Sequence, residues 1–298
     1  MWFLPALAAL FCWSGSDLFS KLGCERQDDR TSHLKMLTSV GLVMGLHAAF
    51  TALFGGVTVS LREIWAYLPV SFFYISSMAL GYLGMRYIEL SILSPVCNTS
   101  GAVVVILYLF CGERMEPVQY AAVILICLGV FGLALVEARE DESLRIQRQA
   151  AANRKYAKSA LALALPIAYC LLDAAGTFAD GFLIDRLGEE KANLAYELTF
   201  LAVGLFCFVL VYLRKREHFC WKEARPRLLG ACLETGGQLA YVYAMGANPA
   251  AAAPMISAYC AVSVLWSRIF LREKLSPRHY FTITLAVIGI IILGVFDL

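Results

Sequence analysis

The sequence has few charged side chains, and this scarcity already narrows the class of protein. Charged residues make up 16% of the 298 residues and hydrophobic ones 60%, with a mean hydropathy of +0.67. Soluble domains average about 25% charged residues. The net charge of +2 gives no basic surface for a nucleic-acid partner. This composition is typical of a chain that lies in a lipid bilayer.

The sequence also lacks clustered cysteines and enzyme motifs. Its ten cysteines are scattered, and no two form a C-x-x-C pair, which argues against a disulfide framework or a zinc site. We interpret them as small apolar residues. The G-x-S-x-G, H-E-x-x-H and Walker motifs are absent, so an intramembrane enzyme is the less favoured class. We expect neither a metal nor another cofactor.

Ten apolar runs alternate with short charged segments. A bilayer core of ~30 Å needs about 20 apolar residues per helix. No alternating ten-residue strand pattern is present, so we predict an all-α integral membrane protein with ten transmembrane helices. The first run has no basic region before it and no cleavage site, so we expect a retained helix. The predicted helices cover 2–22, 34–55, 64–85, 88–111, 117–137, 159–182, 193–213, 226–245, 249–271 and 277–297.

Basic residues fall mainly on one side of the predicted membrane. The connections after the first, third, fifth, seventh and ninth helices hold 21 of the 25 Lys and Arg residues. The positive-inside rule therefore predicts that these connections face the cytoplasm. Both termini would then lie outside, in a multi-pass protein of the cell (plasma) membrane.

Two charged turns indicate an internal repeat. "GERMEPVQY" (112–120) and "REKLSPRHY" (272–280) align at an offset of 160. Each turn ends one apolar run, and its proline begins the next, where a missing N–H costs little. The matched pairs are Glu113 and Glu273, Arg114 and Lys274, Met115 and Leu275, Pro117 and Pro277, Tyr120 and Tyr280, and Gly129 and Gly289.

A repeat of five helices predicts two halves of opposite orientation in the membrane, because five is an odd number of spans. We predict a first repeat over 1–137, a charged linker over 138–158 and a second repeat over 159–298. Inverted repeats are common among secondary transporters, which place the substrate site near the midplane between the halves.

The repeated E-[RK] turn, followed by Pro and a helix with Gly-Val or Gly-Ile, resembles the EamA-type branch of the drug/metabolite transporter (DMT) superfamily. The resemblance covers essentially the whole chain and is most specific at Ser94 to Val136 and at Pro254 to Phe296. It implies a secondary active transporter of a small metabolite but does not identify the substrate. The acidic and aromatic residues inside the apolar runs favour an amino acid, an amine or a related solute. Such carriers work by alternating access and often export. Members generally keep both termini in the cytoplasm, opposite to the orientation that the charges predict.

Two alternatives and several questions stay open at this point. A receptor or assembly subunit without transport is one alternative, and an intramembrane enzyme is the other. The sequence names neither the substrate, the direction of transport nor the oligomeric state. A proton or another ion is the expected coupling partner, because no nucleotide site is present.

Carboxyl groups inside the apolar runs are the first candidates for function, because a charge in lipid is costly unless it faces a cavity or a partner. Asp17 and Asp173 occupy comparable places in the first and sixth helices. Trp13 and Tyr169 precede them by one turn, and an aromatic ring beside a carboxylate can hold a cation. The alternative is that Lys21, one turn beyond Asp17, simply neutralises it.

The eighth helix carries a polar stripe. Glu234, Gln238 and Tyr241 are spaced by four and three residues, which places them on one helix face. The repeat alignment sets Tyr74 opposite Glu234, and polar residues follow a proline in the fourth and ninth helices. The predicted substrate contacts are Trp13, Asp17, Tyr74, Asn98, Tyr169, Asp173, Glu234, Gln238, Tyr241 and Tyr259.

Other polar residues have simpler interpretations. Hydrogen bonds back to the helix backbone explain hydroxyl groups such as those of Thr99 and Ser100. For His47 we favour a lone histidine at a helix interface over a proton site. Glu197 lies in a first helical turn, where an acid favours the helix dipole. Asp180 lies near a span end and needs no special role.

Overall fold

The computed structural model describes residues 2–25, 29–112, 114–138, 161–273 and 275–297. Within these ranges the predicted all-α architecture is confirmed, with ten helices of membrane-crossing length. Nine are also apolar enough to span a bilayer, and α8, at 27 residues, is long enough but more polar. The helices are α1 (Phe3–Cys24), α2 (Ser32–Phe54), α3 (Leu61–Met85), α4 (Leu90–Phe110), α5 (Pro117–Ala138), α6 (Leu161–Leu187), α7 (Glu189–Arg214), α8 (Trp221–Ala247), α9 (Pro249–Leu271) and α10 (Pro277–Asp297). Most of the predicted linker, 138–158, lies outside the described residues.

Local sequence explains where several helices begin. Ser60 and Glu63 form a capping box at the start of α3, in which each side chain bonds to the backbone N–H of the other. Asn248 accepts a hydrogen bond from Ala251 N (3.2 Å) at the start of α9, where Pro249 occupies the first helical position. These caps satisfy N–H groups that the helix itself leaves without partners.

Helices α4 and α9 are each broken at the same place in the repeat. α4 consists of Leu90–Cys97 and Ser100–Phe110, and α9 is interrupted at Ala258, after Pro249–Ser257. Both breaks follow a proline, which removes one helical hydrogen bond. In α4 both the backbone N–H (3.0 Å) and the side chain (2.8 Å) of Asn98 donate to Ser94 O at the break. Broken helices near the midplane are typical sites of solute contact in transporters.

The packing of the helix pairs is symmetric between the two halves. α1 packs on α8, and its repeat counterpart α6 packs on α3. α2 packs on α7, α4 on α9 and α5 on α10, so each of these helices meets its own counterpart. This is the pattern that a two-fold axis in the membrane plane produces.

Two matched glycines show the same symmetry at atomic scale. A Cβ on Gly129 of α5 would lie 2.8 Å from Thr282 O of α10. A Cβ on Gly289 of α10 would lie 2.7 Å from Ala122 O of α5. Both contacts require glycine, because real Cβ atoms do not approach a backbone oxygen so closely. The repeated glycines therefore let α5 and α10 cross with their backbones in contact.

The second charged turn ties the halves together at the membrane surface. The carboxylate of Glu273 accepts hydrogen bonds from Leu90 N (3.3 Å) and Ser91 N (3.1 Å) at the start of α4. An anion is favourable there because the first N–H groups of a helix lack internal partners. The matching Glu113 and Lys274 lie outside the described residues.

Candidate functional site

A central cavity with a volume of about 80 Å³ lies between the two halves. A single water needs about 10–15 Å³ by this measure, so the cavity has room for a small solute. α1, α3, α4, α6, α8 and α9 line it, with Tyr196 of α7. The structure brings all ten predicted residues to this wall: Trp13, Asp17, Tyr74, Asn98, Tyr169, Asp173, Glu234, Gln238, Tyr241 and Tyr259.

Asp17 is held by hydroxyl groups from both halves. Its Oδ2 accepts hydrogen bonds from Ser94 (2.6 Å) and Ser263 (2.8 Å). Lys21 turns away, and its Nζ donates to the carbonyl oxygen of Met85 (2.8 Å) and to one in the following turn (3.0 Å). The alternative that Lys21 neutralises Asp17 is therefore wrong, because that ammonium group braces the end of α3 instead.

Asp173 and Glu234 are likewise held by hydroxyl groups across the interface of the halves. Ser100 donates to Asp173 Oδ2 (2.7 Å), and Ser16 donates to Glu234 Oε2 (2.8 Å). Our expectation that Ser100 bonds back to its own helix is wrong, because its hydroxyl reaches α6. For Thr99 the expectation is confirmed, since its hydroxyl donates to a backbone carbonyl in the preceding turn (2.8 Å).

Aromatic rings form much of the wall. Trp13 lies 5.2 Å from Tyr241 and 6.0 Å from Tyr259 between ring centroids. Its indole fills the notch above Gly237, where a Cβ would overlap the ring. The indole N–H donates to Glu234 O (3.4 Å). Gly237 is thus needed for the position of Trp13.

Three buried polar atoms of the wall have no hydrogen-bond partner among the residues that the structure describes. They are Ser20 Oγ, Tyr82 Oη and Gln238 Nε2, and each belongs to a side chain that is at most 4% exposed. All three side chains line the cavity. Leaving such groups unpaired costs about 1–3 kcal/mol each, so a solute that bonds to them gains affinity. Sequence reasoning missed Ser20 and Tyr82.

A network of ion pairs lies on the side of the basic loops, the connections that follow the odd-numbered helices. We call it the ionic lock: Asp29, Lys35, Glu217 and Arg227. Lys35 Nζ lies 2.8 Å from Asp29 Oδ2 and 2.6 Å from Glu217 Oε2. Arg227 Nη2 lies 2.9 Å from Asp29 Oδ2. Asp29 and Lys35 belong to the first half, and Glu217 and Arg227 to the second, so the lock joins the halves.

The lock holds its two loop acids in the charged form. Partial burial raises the pKa of Asp29, but hydrogen bonds from Lys35 and Thr31 outweigh it and bring the pKa below its ordinary value. The pKa of Glu217 is also lowered, because bonds from the same two residues outweigh its partial burial. Thr31 contributes a hydroxyl 2.6 Å from Glu217. Both acids therefore stay ionised throughout the neutral range.

On the opposite side lies a tyrosine cluster, which we call the tyrosine lock: Tyr67, Tyr74, Asp180 and Tyr241. Tyr67 donates to Asp180 Oδ1 (2.5 Å). The hydroxyl groups of Tyr74 and Tyr241 are 2.6 Å apart. These bonds also join the two halves. Asp180 is fully buried, so our interpretation of it as a span-end residue missed this contact; its place seven residues after Asp173, on the same helix face, was the available signal.

His47 is not the lone histidine that we expected. Its Nδ1 lies 2.8 Å from Glu197 Oε1, and Asn193 donates to the same oxygen (3.0 Å). Our interpretation of Glu197 through the helix dipole is wrong, because α7 begins at Glu189 and Glu197 lies beyond its first turn. Glu197 is fully buried. The pair joins α2 to α7 outside the central cavity.

Comparison with known proteins identifies the family of this chain. No curated protein matches significantly. One solved structure, titled only "Crystal structure of protein", is 14% identical, with a TM-score of 0.65 over 98% of this chain and 96% of that chain; at this identity the likeness shows the fold alone. The model of the EamA-like transporter family matches residues 1–135 and 182–295. The chain therefore belongs to the EamA-like transporter family of the DMT superfamily and is a multi-pass membrane transporter.

Proposed function

We propose that the protein is a secondary transporter that exchanges an organic ammonium ion for protons by alternating access. One observation carries this proposal: Asp17, Asp173 and Glu234 line one cavity, and none of the described residues that line it is Lys, Arg or His. The wall therefore offers negative charge without a fixed counter-charge.

The physical argument begins with the cost of burying charge. An ionised carboxylate taken out of water costs several kcal/mol after relaxation. One or two hydroxyl hydrogen bonds per group, as found here, offset only part of this cost. The carboxyl groups must therefore hold either protons or a cationic solute. Because the two occupants compete for the same groups, binding of one releases the other, which is the basis of exchange.

The wall also fits the shape of an organic cation. Trp13, Tyr241 and Tyr259 offer ring faces to a positive charge, and each such contact contributes about 0.5–2 kcal/mol. Gln238 Nε2 has no protein partner within the described chain and can donate to a hydroxyl or carbonyl oxygen on the solute. An amino acid would bring a carboxylate that no basic side chain of the wall can pair. Amines are therefore favoured over amino acids.

The two locks support the proposal of alternating access. The ionic lock and the tyrosine lock lie at opposite ends of the cavity, and both connect the first half to the second. Rocking the halves apart at one end breaks one lock and can leave the other intact. We place the basic loops in the cytoplasm by the positive-inside rule, so the ionic lock closes the cytoplasmic end.

Counterflow of labelled solutes tests the proposal. Vesicles with the purified protein are loaded with unlabelled solute and diluted into a trace of labelled solute. The panel contains choline, ethanolamine, leucine and glucose; choline is permanently charged and cannot cross lipid as a neutral base. We expect counterflow of the two cations, and its loss in Asp173→Asn and Glu234→Gln. Asp185→Asn, an exposed acid outside the cavity, is the matched control.

Counterflow of leucine or glucose with no cation movement would overturn the proposed substrate class. Normal cation flux in both cavity variants would remove these carboxyl groups from the mechanism. Correct insertion of each variant is checked by its elution as a single folded species in detergent.

A further inference from the structure

A second pocket lies at the end of the bundle opposite the basic loops, between α2, α7 and α8. Its volume is about 180 Å³. His47, Asn193, Glu189, Glu190 and Tyr243 line it, and the start of the α2–α3 loop forms its rim. None of its lining residues lines the central cavity. On α8 the division is sharp, because Tyr241 faces the cavity and Tyr243, two residues later, faces the pocket.

Asn193 lines this pocket, and its side chain has a buried acceptor without a partner among the described residues. The side chain is 3% exposed, and its Oδ1 has no hydrogen-bond partner within the described ranges. Its Nδ2 donates to Glu197 Oε1 (3.0 Å). This contact fixes the orientation of the amide, because the reverse would set the amide oxygen against the Glu197 carboxylate. A buried acceptor without a donor costs about 1–3 kcal/mol, and a cationic N–H donor would remove that cost.

Two carboxylates add negative charge to the pocket. Glu189 and Glu190 both line the pocket, and neither has an ion pair within 4.0 Å in the part of the chain that the structure describes. The adjacent Lys191 is engaged elsewhere, with Nζ 2.7 Å from Glu63 Oε1. Acids in a first helical turn are favoured by the helix dipole, which alone would explain the two glutamates. It does not explain the acceptor on Asn193.

The remaining walls suit the carbon chain of an organic cation. Phe50 and Tyr243 are 61% and 43% exposed and border the pocket with Leu239 and Val242. His47 Nδ1 is engaged with Glu197, which leaves Nε2 as its second ring nitrogen. The pocket thus combines acceptors, negative charge and apolar surface.

We propose that this pocket is a second, peripheral binding site for an alkylammonium ion, held by Asn193 Oδ1 and the carboxylates of Glu189 and Glu190. The ammonium group donates to the buried amide oxygen, and the alkyl chain lies against Phe50 and Tyr243. The site goes beyond the proposed transport function, because it shares no residue with the central cavity. It would concentrate cations at the entrance closed by the tyrosine lock.

Nuclear magnetic resonance of His47 tests the site locally. The full-length protein in lipid nanodiscs, with ¹⁵N-labelled histidine, contains four histidines, and the His47→Gln variant identifies the resonances of His47. Ethylammonium is titrated at fixed pH and ionic strength, with sodium and ethanol as charge and shape controls. We expect a saturable shift of the His47 ring resonances with ethylammonium alone.

Variants separate this site from the central cavity. Glu189→Gln and Glu190→Gln should each weaken binding about two- to fivefold, as for partly exposed ion pairs, and the double variant should weaken it about 4- to 25-fold. Asp185→Asn is the control for an exposed acid at the same end. Asp173→Asn, in the central cavity, should leave the shift intact.

Three results would overturn the proposal. One is no saturable shift in the wild type, and another is an equal shift with ethanol. The third is a shift lost in Asp173→Asn and retained with wild-type affinity in the double variant, because His47 would then report on the central cavity. Failure of the proposed transport function would show instead as absent cation counterflow, with the His47 titration unchanged.

Discussion

Replacing Arg227 with glutamine should open the end of the cavity that faces the basic loops. Arg227 is 3% exposed, and its guanidinium makes two bonds across the halves, to Asp29 Oδ2 (2.9 Å) and to Gly23 O (2.9 Å). Hydrogen bonds to charged groups contribute about 1.5–3 kcal/mol. We therefore expect Arg227→Gln to destabilise the closed state relative to the open state by about 2–3 kcal/mol. The loss is no larger because Lys35 still pairs with Asp29. That loss raises the open population about 30- to 150-fold while it stays a minority.

Cys97 gives a native reporter for this opening. It lines the cavity and is 4% exposed, so an impermeant thiol reagent reaches it only when one end opens. The other cysteines are replaced, and reagent is added to one face of oriented vesicles. We expect faster labelling of Arg227→Gln from the face of the basic loops. Arg225→Gln removes the same charge from an exposed position over Trp221 and should label at the wild-type rate.

Equal labelling of Arg227→Gln and Arg225→Gln would refute the ionic lock as the closure of this end. Faster labelling from the opposite face would place Arg227 at the wrong end of the cavity. Unchanged labelling together with a lower Tm would mean that Arg227 stabilises the fold without controlling access.

Three further predictions test the packing, the tyrosine lock and the ionised state of the loop acids. Gly237→Ala should destabilise the protein by about 1–3 kcal/mol through overlap with the indole, whereas Gly236→Ala, with its nearest neighbour 3.8 Å away, should be neutral in thermal unfolding. Tyr67→Phe removes the donor to a buried carboxyl group, so labelling of the cavity cysteine should rise from the face opposite the basic loops only. The pKa values of Asp29 and Glu217 are lowered from 3.8 and 4.5, so their contribution to stability is present above these ordinary values and is lost as pH falls through the lowered ones. The Tm should therefore fall more steeply below about pH 4 in the wild type than in Asp29→Asn.

Each of these predictions has a contrary outcome. Equal stability of the two alanine variants would contradict the close contact at Gly237. Labelling of Tyr67→Phe that rises from both faces would indicate a general loosening of the bundle. The same acid dependence in the wild type and in Asp29→Asn would mean that the ionic lock does not contribute to stability.

Much of the architecture could be predicted because a bilayer imposes simple rules. Apolar length predicted ten helices, and the offset of 160 predicted a repeat whose glycines, Gly129 and Gly289, make equivalent contacts across α5 and α10. A polar residue in a spanning helix must face a cavity or a partner. That rule selected the ten candidates, and all ten line the central cavity. Their role as substrate contacts stays a prediction.

Contacts between distant segments could not be predicted from one sequence. Lys21 is one turn from Asp17, yet its ammonium group reaches the end of α3, because carbonyl groups freed at that helix end compete for it. His47 and Glu197 are 150 residues apart, and nothing local marks them as a pair. The ionic lock depends on loops whose approach is set by the packing of α2 and α8. Spacing along the chain predicts the face on which a side chain lies but not the partner that it meets.

Proton movement in vesicles tests the central claim most directly. Vesicles containing the protein, choline and an internal pH dye are diluted into choline-free buffer, so that choline leaves down its gradient. The account predicts internal acidification, because protons enter in exchange, and its loss in Glu234→Gln. Choline cannot release a proton itself, so acidification must come from the carrier. Choline efflux without a pH change, or a pH change that persists in Asp173→Asn and Glu234→Gln, would contradict proton exchange at the central carboxyl groups.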